Sequence, residues 1–280
     1  MDTPVFVPVQ QGLYPAQAEV FVYKTEDEVR IIPLDIIWHH EIVNDIGGGE
    51  PVVLSYCPLT RSAVAWEAGE EYLPGGFDVS GYLFRQNLVP FDRQNEIYYS
   101  QMWMKAVSGP AAGRELIAVP FTSMNYHLAS VHFPDAVILV TPEGVVCDSV
   151  CGQGYKSLTA GDDPFGVLFR NSALLFNSEL FETAGNLFMI HWKSYDLLVT
   201  GSVQHRVAGA WLRPDGRTFY GSLQPEFYAF NDDMGNYYNW LGEVFEGPEK
   251  GSRLTAPPAF RAAMFAWEDF YPDYELFKKE

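Results

Sequence analysis

Basic residues are scarce in this chain: 18 Lys and Arg stand against 36 Asp and Glu, a formal net charge of −18 over 280 residues. That field repels polyanions and anionic membrane surfaces, and no basic run offsets it locally, which argues against nucleic acid as a partner. Cysteine is equally scarce, with three in all. An odd count is incompatible with a full disulfide framework. Cys147 and Cys151, four apart beside a glycine turn, are left open as a short-loop bridge or as two independent thiols. Long apolar runs are missing too. The longest, AVILV at 136–140 and GNLFMIHW at 185–192, are too short for a transmembrane helix. The start, MDTPVFVPVQQGLY, lacks the charged, apolar and small-residue regions of a signal peptide, so the reading is a cytoplasmic chain or an already trimmed mature one. Also missing are the Gly-x-Ser-x-Gly elbow, the phosphate-binding Gly-x-x-x-x-Gly-Lys loop and His-Glu-x-x-His. The one Gly-Gly-Gly follows an expected helix, the wrong side for a dinucleotide turn, so no nucleotide cofactor is expected.

What is present describes a folded chain. Hydrophobic residues make up 48%, charged residues 19% and aromatics 15%. VFVYKTEDEVRIIPL reads as a hairpin around a polar turn, and PVVLSY and SAVAW as strands. A helix is expected to start at Pro33 and close at Gly47–Gly49. A second is expected from Ser123 to His132, capped by Thr122 or Ser123, with a counterpart near 258–270. Parts of the chain resemble each other: FDRQNEIYYSQMW (91–103) and FNDDMGNYYNWLG (230–242), then GPAAGREL (109–116) and GPEKGSRL (247–254). These likenesses suggest an α+β, β-rich fold made of two tandem copies of a strand-helix-strand module, roughly 110–120 residues each. The copies are drawn at 1–140 and 181–280, with 141–180 as linker.

WHHEIVNDIGGGEPVVLSYCPLTRSAVAW (38–66) and SGYLFRQNLVPFDRQNEIYYSQ (80–101) resemble the signature of a prokaryotic family, domain of unknown function 3179. The likeness continues through VSGPAAGREL, GPEKGSRL and FAWEDFYPD. The resemblance implies no established activity, and it favours an exported or lipid-anchored mature form. This chain has Thr60 where many members carry a second cysteine, and Arg85-Gln86 where short polar residues are usual.

Cys57 is the first candidate site. With Thr60 in place of a resolving thiol, disulfide exchange by the usual route is removed. A lone thiol with His40 suits a soft or borderline metal, copper or zinc, with Glu41 as a further ligand. The plainer reading makes Cys57 a small buried hydrophobe, and Asn44 and Asp45 turn-holding residues. Asn87, Asp92, Arg93 and Gln101 form a second polar group: Asn87 and Gln101 as pocket lining or as partners of buried backbone, Asp92-Arg93 as a turn with a surface ion pair. Three functions follow. The leading one is a metal-binding protein or metalloenzyme with Cys57 and His40 as catalytic residues. The others are a non-catalytic module with a ligand or protein in an aromatic cleft between the copies (Tyr98, Tyr99, Trp103, Tyr237, Tyr238, Trp240), and a metal-free enzyme with Cys57 as nucleophile.

Overall fold

The computed structural model describes residues 1–12, 14–26, 28–45, 51–69, 76–141 and 163–279. Those residues form twenty-three strands in six small sheets and three seven-residue α-helices, α1 (Leu34–His40), α2 (Tyr126–His132) and α3 (Met264–Phe270). The expected α+β fold of two tandem strand-helix-strand modules is therefore corrected. Among the described residues strand accounts for 45% and helix, with the 3-10 turns Val9–Gln11 and Ser178–Phe181, for 11%, and they build no clear duplicated module of that kind. The matched stretches 91–103 and 230–242 run through hairpins of four-stranded sheets, not through a strand-helix-strand unit. The stretch 141–180, read as linker, carries the strands Phe165–Phe169 and Ser172–Phe176.

Each sheet draws all its strands from one side of the segment 142–162. On the N-terminal side, Glu19–Lys24 and Val29–Pro33 form the expected hairpin. Phe121–Asn125 flanks it antiparallel, and Val137–Val140 pairs parallel to Val29–Pro33. A three-stranded meander (Ile42–Asp45, Val52–Cys57, Ser62–Glu67) and a four-stranded one starting at Phe77–Phe84 complete this side. On the C-terminal side, Phe165–Phe169 and Ser172–Phe176 pair, with Ala259–Arg261 antiparallel on one flank and Glu275–Leu276 parallel on the other. The meander Leu187–Trp192, Tyr195–Ser202, Val207–Leu212 and a further four-stranded sheet follow.

Two expected helices are shorter than their patterns suggested. The first stops at His40, where Glu41 turns left-handed (φ 56°), and Ile42–Asp45 continues as a strand against Val52–Cys57. β-branched Ile42 and Val43 fit a buried pleat better than a helix turn. The second starts at Tyr126, capped by the Asn125 side chain accepting from Leu128 N at 2.9 Å. Thr122 and Ser123, expected as caps, are strand residues paired with Val22 and Phe21.

The two sides interlock. Two of the four apolar cores are shared between them. One packs Trp66, Phe77 and Tyr99 with Leu168, Phe260 and Trp267; the other packs Val20, Ile31 and Leu128 with Leu198, Trp211 and Phe230. Backbone contacts are reciprocal: Ala263 N donates to Thr60 O at 2.8 Å and Asn125 N to His205 O at 2.9 Å. Gly166 lies under the Trp267 ring, where a Cβ would come within 2.4 Å of it, so only glycine permits this contact. A seam thus runs between the two sides, closed in places by packing and open in others.

Candidate functional site at the seam

The Cys-Pro-Leu-Thr turn lies at the end of the strand Val52–Cys57, and its side chains are interior. Cys57 is 2% exposed. Its sulfur accepts from Leu88 N at 3.3 Å and faces Gln86 O at 3.9 Å. Behind it runs a closed polar network. Asn87 Nδ2 donates to Thr60 Oγ1 at 2.9 Å and to Gln101 Oε1 at 2.7 Å. Gln101 Nε2 donates to Ser55 Oγ at 2.9 Å, and Ser62 Oγ donates to Gln101 Oε1 at 2.7 Å. Asn87 and Gln101, singled out from the sequence, do come together, but with Thr60, Ser62 and Ser55, which sequence reasoning missed. Each finds its partner in another buried side chain or backbone group, so the cluster joins strands and offers no lining to solvent.

The other sequence candidates are dispersed. His40 is exposed at the end of α1, its pKa lowered by partial burial, then by the N-terminal ammonium and His39. Glu41 is the half-buried C-cap, and burial raises its carboxyl. Among the described residues no three His, Cys, Asp or Glu side chains converge as a metal-holding group, so Cys57, His40 and Glu41 do not form one. Asp92 closes its own turn: Oδ1 accepts from Gln94 N and Asn95 N at 2.9 and 3.1 Å. Arg93 pairs with Asp2 through two bonds of 2.9 and 2.6 Å, not with Asp92. Asn44 grips the backbone of Phe77, accepting from its N and donating to its O, both at 2.9 Å. Asp45 accepts from Tyr23 OH at 2.7 Å. Cys147 and Cys151 lie outside the described residues. The aromatic wall is mostly core: Tyr99, Tyr238 and Trp240 are buried, and Trp103 packs against Phe84 and Phe270.

The open space lies along the seam. One cleft of about 430 Å³ is lined by Lys24, Glu26, Glu67, Val119, Glu243 and Arg253. A second, of about 420 Å³, lies beside it and shares Lys24, Glu243 and Gly251. Lys24 spans the seam between them, donating to both Glu243 oxygens at 2.7 and 2.8 Å. His132 lines the second cleft; burial pushes its pKa down to about 4, so it is neutral there. Both clefts are of the size that holds small molecules, and both are built from distant parts of the sequence.

Deeper in the seam is a charge cluster that no local pattern announced. Arg61, left-handed at φ 51°, forks onto Asp163 with bonds of 2.6 and 2.5 Å. Arg261 Nη1 donates to Asp163 O at 3.0 Å. Glu19 is buried beside them. Burial raises its pKa to about 7, against the opposing charges of Arg206 and Arg261, while Asp163 adds to the rise.

A family model described as protein of unknown function (DUF3179) matches residues 1–274. The chain belongs to that family. No curated protein and no solved structure matches the chain. Among the described residues, no helix is long and apolar enough to cross a membrane.

Proposed function

We propose that the protein is a non-catalytic binding module that holds a polar small molecule in the seam cleft beside Lys24 and Glu243. The observation that carries this reading is the ligand-sized cleft of about 430 Å³, lined from both sides of the chain and crossed by the bidentate Lys24–Glu243 pair. Its lining supports a neutral or cationic ligand. Three carboxylates (Glu26, Glu67, Glu243) face two cations (Lys24, Arg253), within a protein of net charge −18. A ligand carrying an ammonium and hydroxyl groups satisfies such a wall without leaving a buried charge unpaired. The aromatic cleft of the sequence reading gives way to a polar one, because the aromatic side chains are spent on the cores.

The test is a fluorescence-monitored melting screen against amines, amino acids, polyols and short peptides, followed by calorimetry of each hit. Hits that carry an ammonium are expected to weaken by about tenfold or more, roughly 1.4 kcal/mol, in Glu26→Gln and Glu67→Gln. The hit ligand is expected to be recovered chemically unchanged after long incubation. Ammonium-bearing hits indifferent to both variants place binding elsewhere, and turnover of the ligand would refute the non-catalytic reading.

A further inference from the structure

The second cleft, of about 420 Å³, opens on the far side of the Lys24–Glu243 pair, and Lys24, Glu243 and Gly251 line both clefts. The two are lobes of one groove with the ion pair across its waist, and their walls differ. In the first lobe Glu26 is exposed and, among the described residues, makes no ion pair. Glu67 stands in the same wall, while Arg253 is drawn to Glu243 at 3.9 Å. In the second lobe Glu28 is already paired with Arg30 at 3.2 Å, and Lys250 offsets Asp135. There the distinguishing feature is an apolar stretch of Phe133, Val244 and Phe245. Phe133 and Val244 are buried, but Phe245 is 36% exposed. Among the described residues the one ring near it is that of His132, at 6.2 Å. At the waist Gly251 is exposed, and a Cβ added there would meet nothing within 4 Å. Its N–H donates to Val244 O at 2.8 Å, whereas its carbonyl accepts no hydrogen bond among the described residues.

The groove thus offers, in order, carboxylates for an ammonium, a bare backbone carbonyl for an N–H donor, and an exposed ring for an apolar side chain. A peptide with a free amino terminus supplies all three from one backbone. We infer that the groove binds short peptides by their free amino terminus, with an aromatic or large aliphatic side chain two residues further on seated against Phe245. This rests on the proposed function and names the ligand class of the same site. Three extended residues span about 10 Å, enough to pass the waist from one lobe into the other. Seating an apolar side chain on Phe245 takes both surfaces out of water, which separates such a peptide from a simple amine. A polyamine would instead bring a second cation to a lobe whose carboxylates are already matched.

The experiment is calorimetry of the full chain with three probes: Gly-Gly-Phe-amide, Gly-Gly-Ala-amide and N-acetyl-Gly-Gly-Phe-amide. The Phe peptide is expected to bind about tenfold more tightly than the Ala peptide, and acetylation to weaken it by about tenfold. In Phe245→Ala, a change at an exposed position, the preference for Phe over Ala is expected to vanish, with the affinity for the Ala peptide unchanged. In Glu26→Gln both free-amine peptides are expected to weaken together. Equal affinities for the Phe and Ala peptides, or a preference that survives in Phe245→Ala, overturn the inference alone when the Ala peptide still responds to Glu26→Gln. If none of the three peptides binds, the inference also falls, and simple amines that hit the melting screen and respond to Glu26→Gln would still uphold the first lobe as their site. Free-amine peptides that bind no better than the acetylated one and ignore Glu26→Gln overturn the inference and the proposed function together.

Discussion

Cys57 shows how a residue conspicuous in sequence takes an ordinary part in the structure. Its thiol sits at the end of a buried strand, fixed by the Leu88 amide, and Gln101 organises the polar side chains behind it. Two outcomes follow. Peptide-level alkylation at neutral pH is expected to leave Cys57 unmodified in the native protein and to label it fully in urea. Rapid native labelling would restore the nucleophile reading. Gln101→Leu, similar in size, strands Asn87, Ser55 and Ser62 partners and is expected to cost roughly 1–3 kcal/mol in urea unfolding. A loss within experimental error would mean that the network is not the structural tie described here. Asn87 and Gln101 were legible as a pair because polar residues in apolar strands need partners. Thr60 and Ser62 were not, since their bonds depend on two separate sheets meeting.

At the scale of the element, the hairpin joining Phe77–Phe84 to Asn87–Asp92 turns on two long polar residues. Arg85 and Gln86 both occupy left-handed backbone, at φ 49° and 61°. Such a two-residue turn matches the strand twist and favours Asn or Gly. What Arg85 gains in return is reach. Its guanidinium lies 5.4 Å from the Phe84 and Trp103 ring centres and 5.7 Å from that of Phe270, and it donates to Asp269 O in α3. The element thereby ties the two sides of the seam. Gln86→Gly relieves one strained residue and leaves Arg85 in place, so it is expected to stabilise the fold by roughly 0.5–1 kcal/mol. A destabilised variant in chemical denaturation would show that the Gln86 side chain matters and the strain does not. Hairpins and buried strands were legible because period-two apolar patterns and turn residues are local. Helix ends were not: at Thr122 and Asn125 the choice between cap and strand was decided by pairing with Glu19–Lys24, a hundred residues away.

For the molecule as a whole, the seam governs stability and, on the proposed function, binding. Glu19 titrates near 7 when folded, against 4.5 as its ordinary value. The unfolded chain therefore ionises this group first as pH rises. Its contribution is fully present below 4.5 and is lost as pH climbs through about 7, a change of about 3 kcal/mol at 1.36 kcal/mol per unit. Glu19→Gln is expected to flatten that part of the stability profile, measured by urea unfolding between pH 5 and 8. An unchanged slope would show that Glu19 is already ionised in the folded state. None of the seam was legible in the sequence: Glu19, Asp163 and Arg261 lie far apart in the chain and each reads as an ordinary surface charge. Only the packing of the two sides takes them out of water together.

The most direct measurement compares two sets of variants in one melting screen of polar small molecules: Glu26→Gln and Glu67→Gln in the cleft, and Cys57→Ser in the buried network. Binding in the seam predicts that ligand-induced shifts disappear in the cleft variants and survive in Cys57→Ser. Shifts that survive in the cleft variants and disappear in Cys57→Ser would contradict it and return the function to the cysteine.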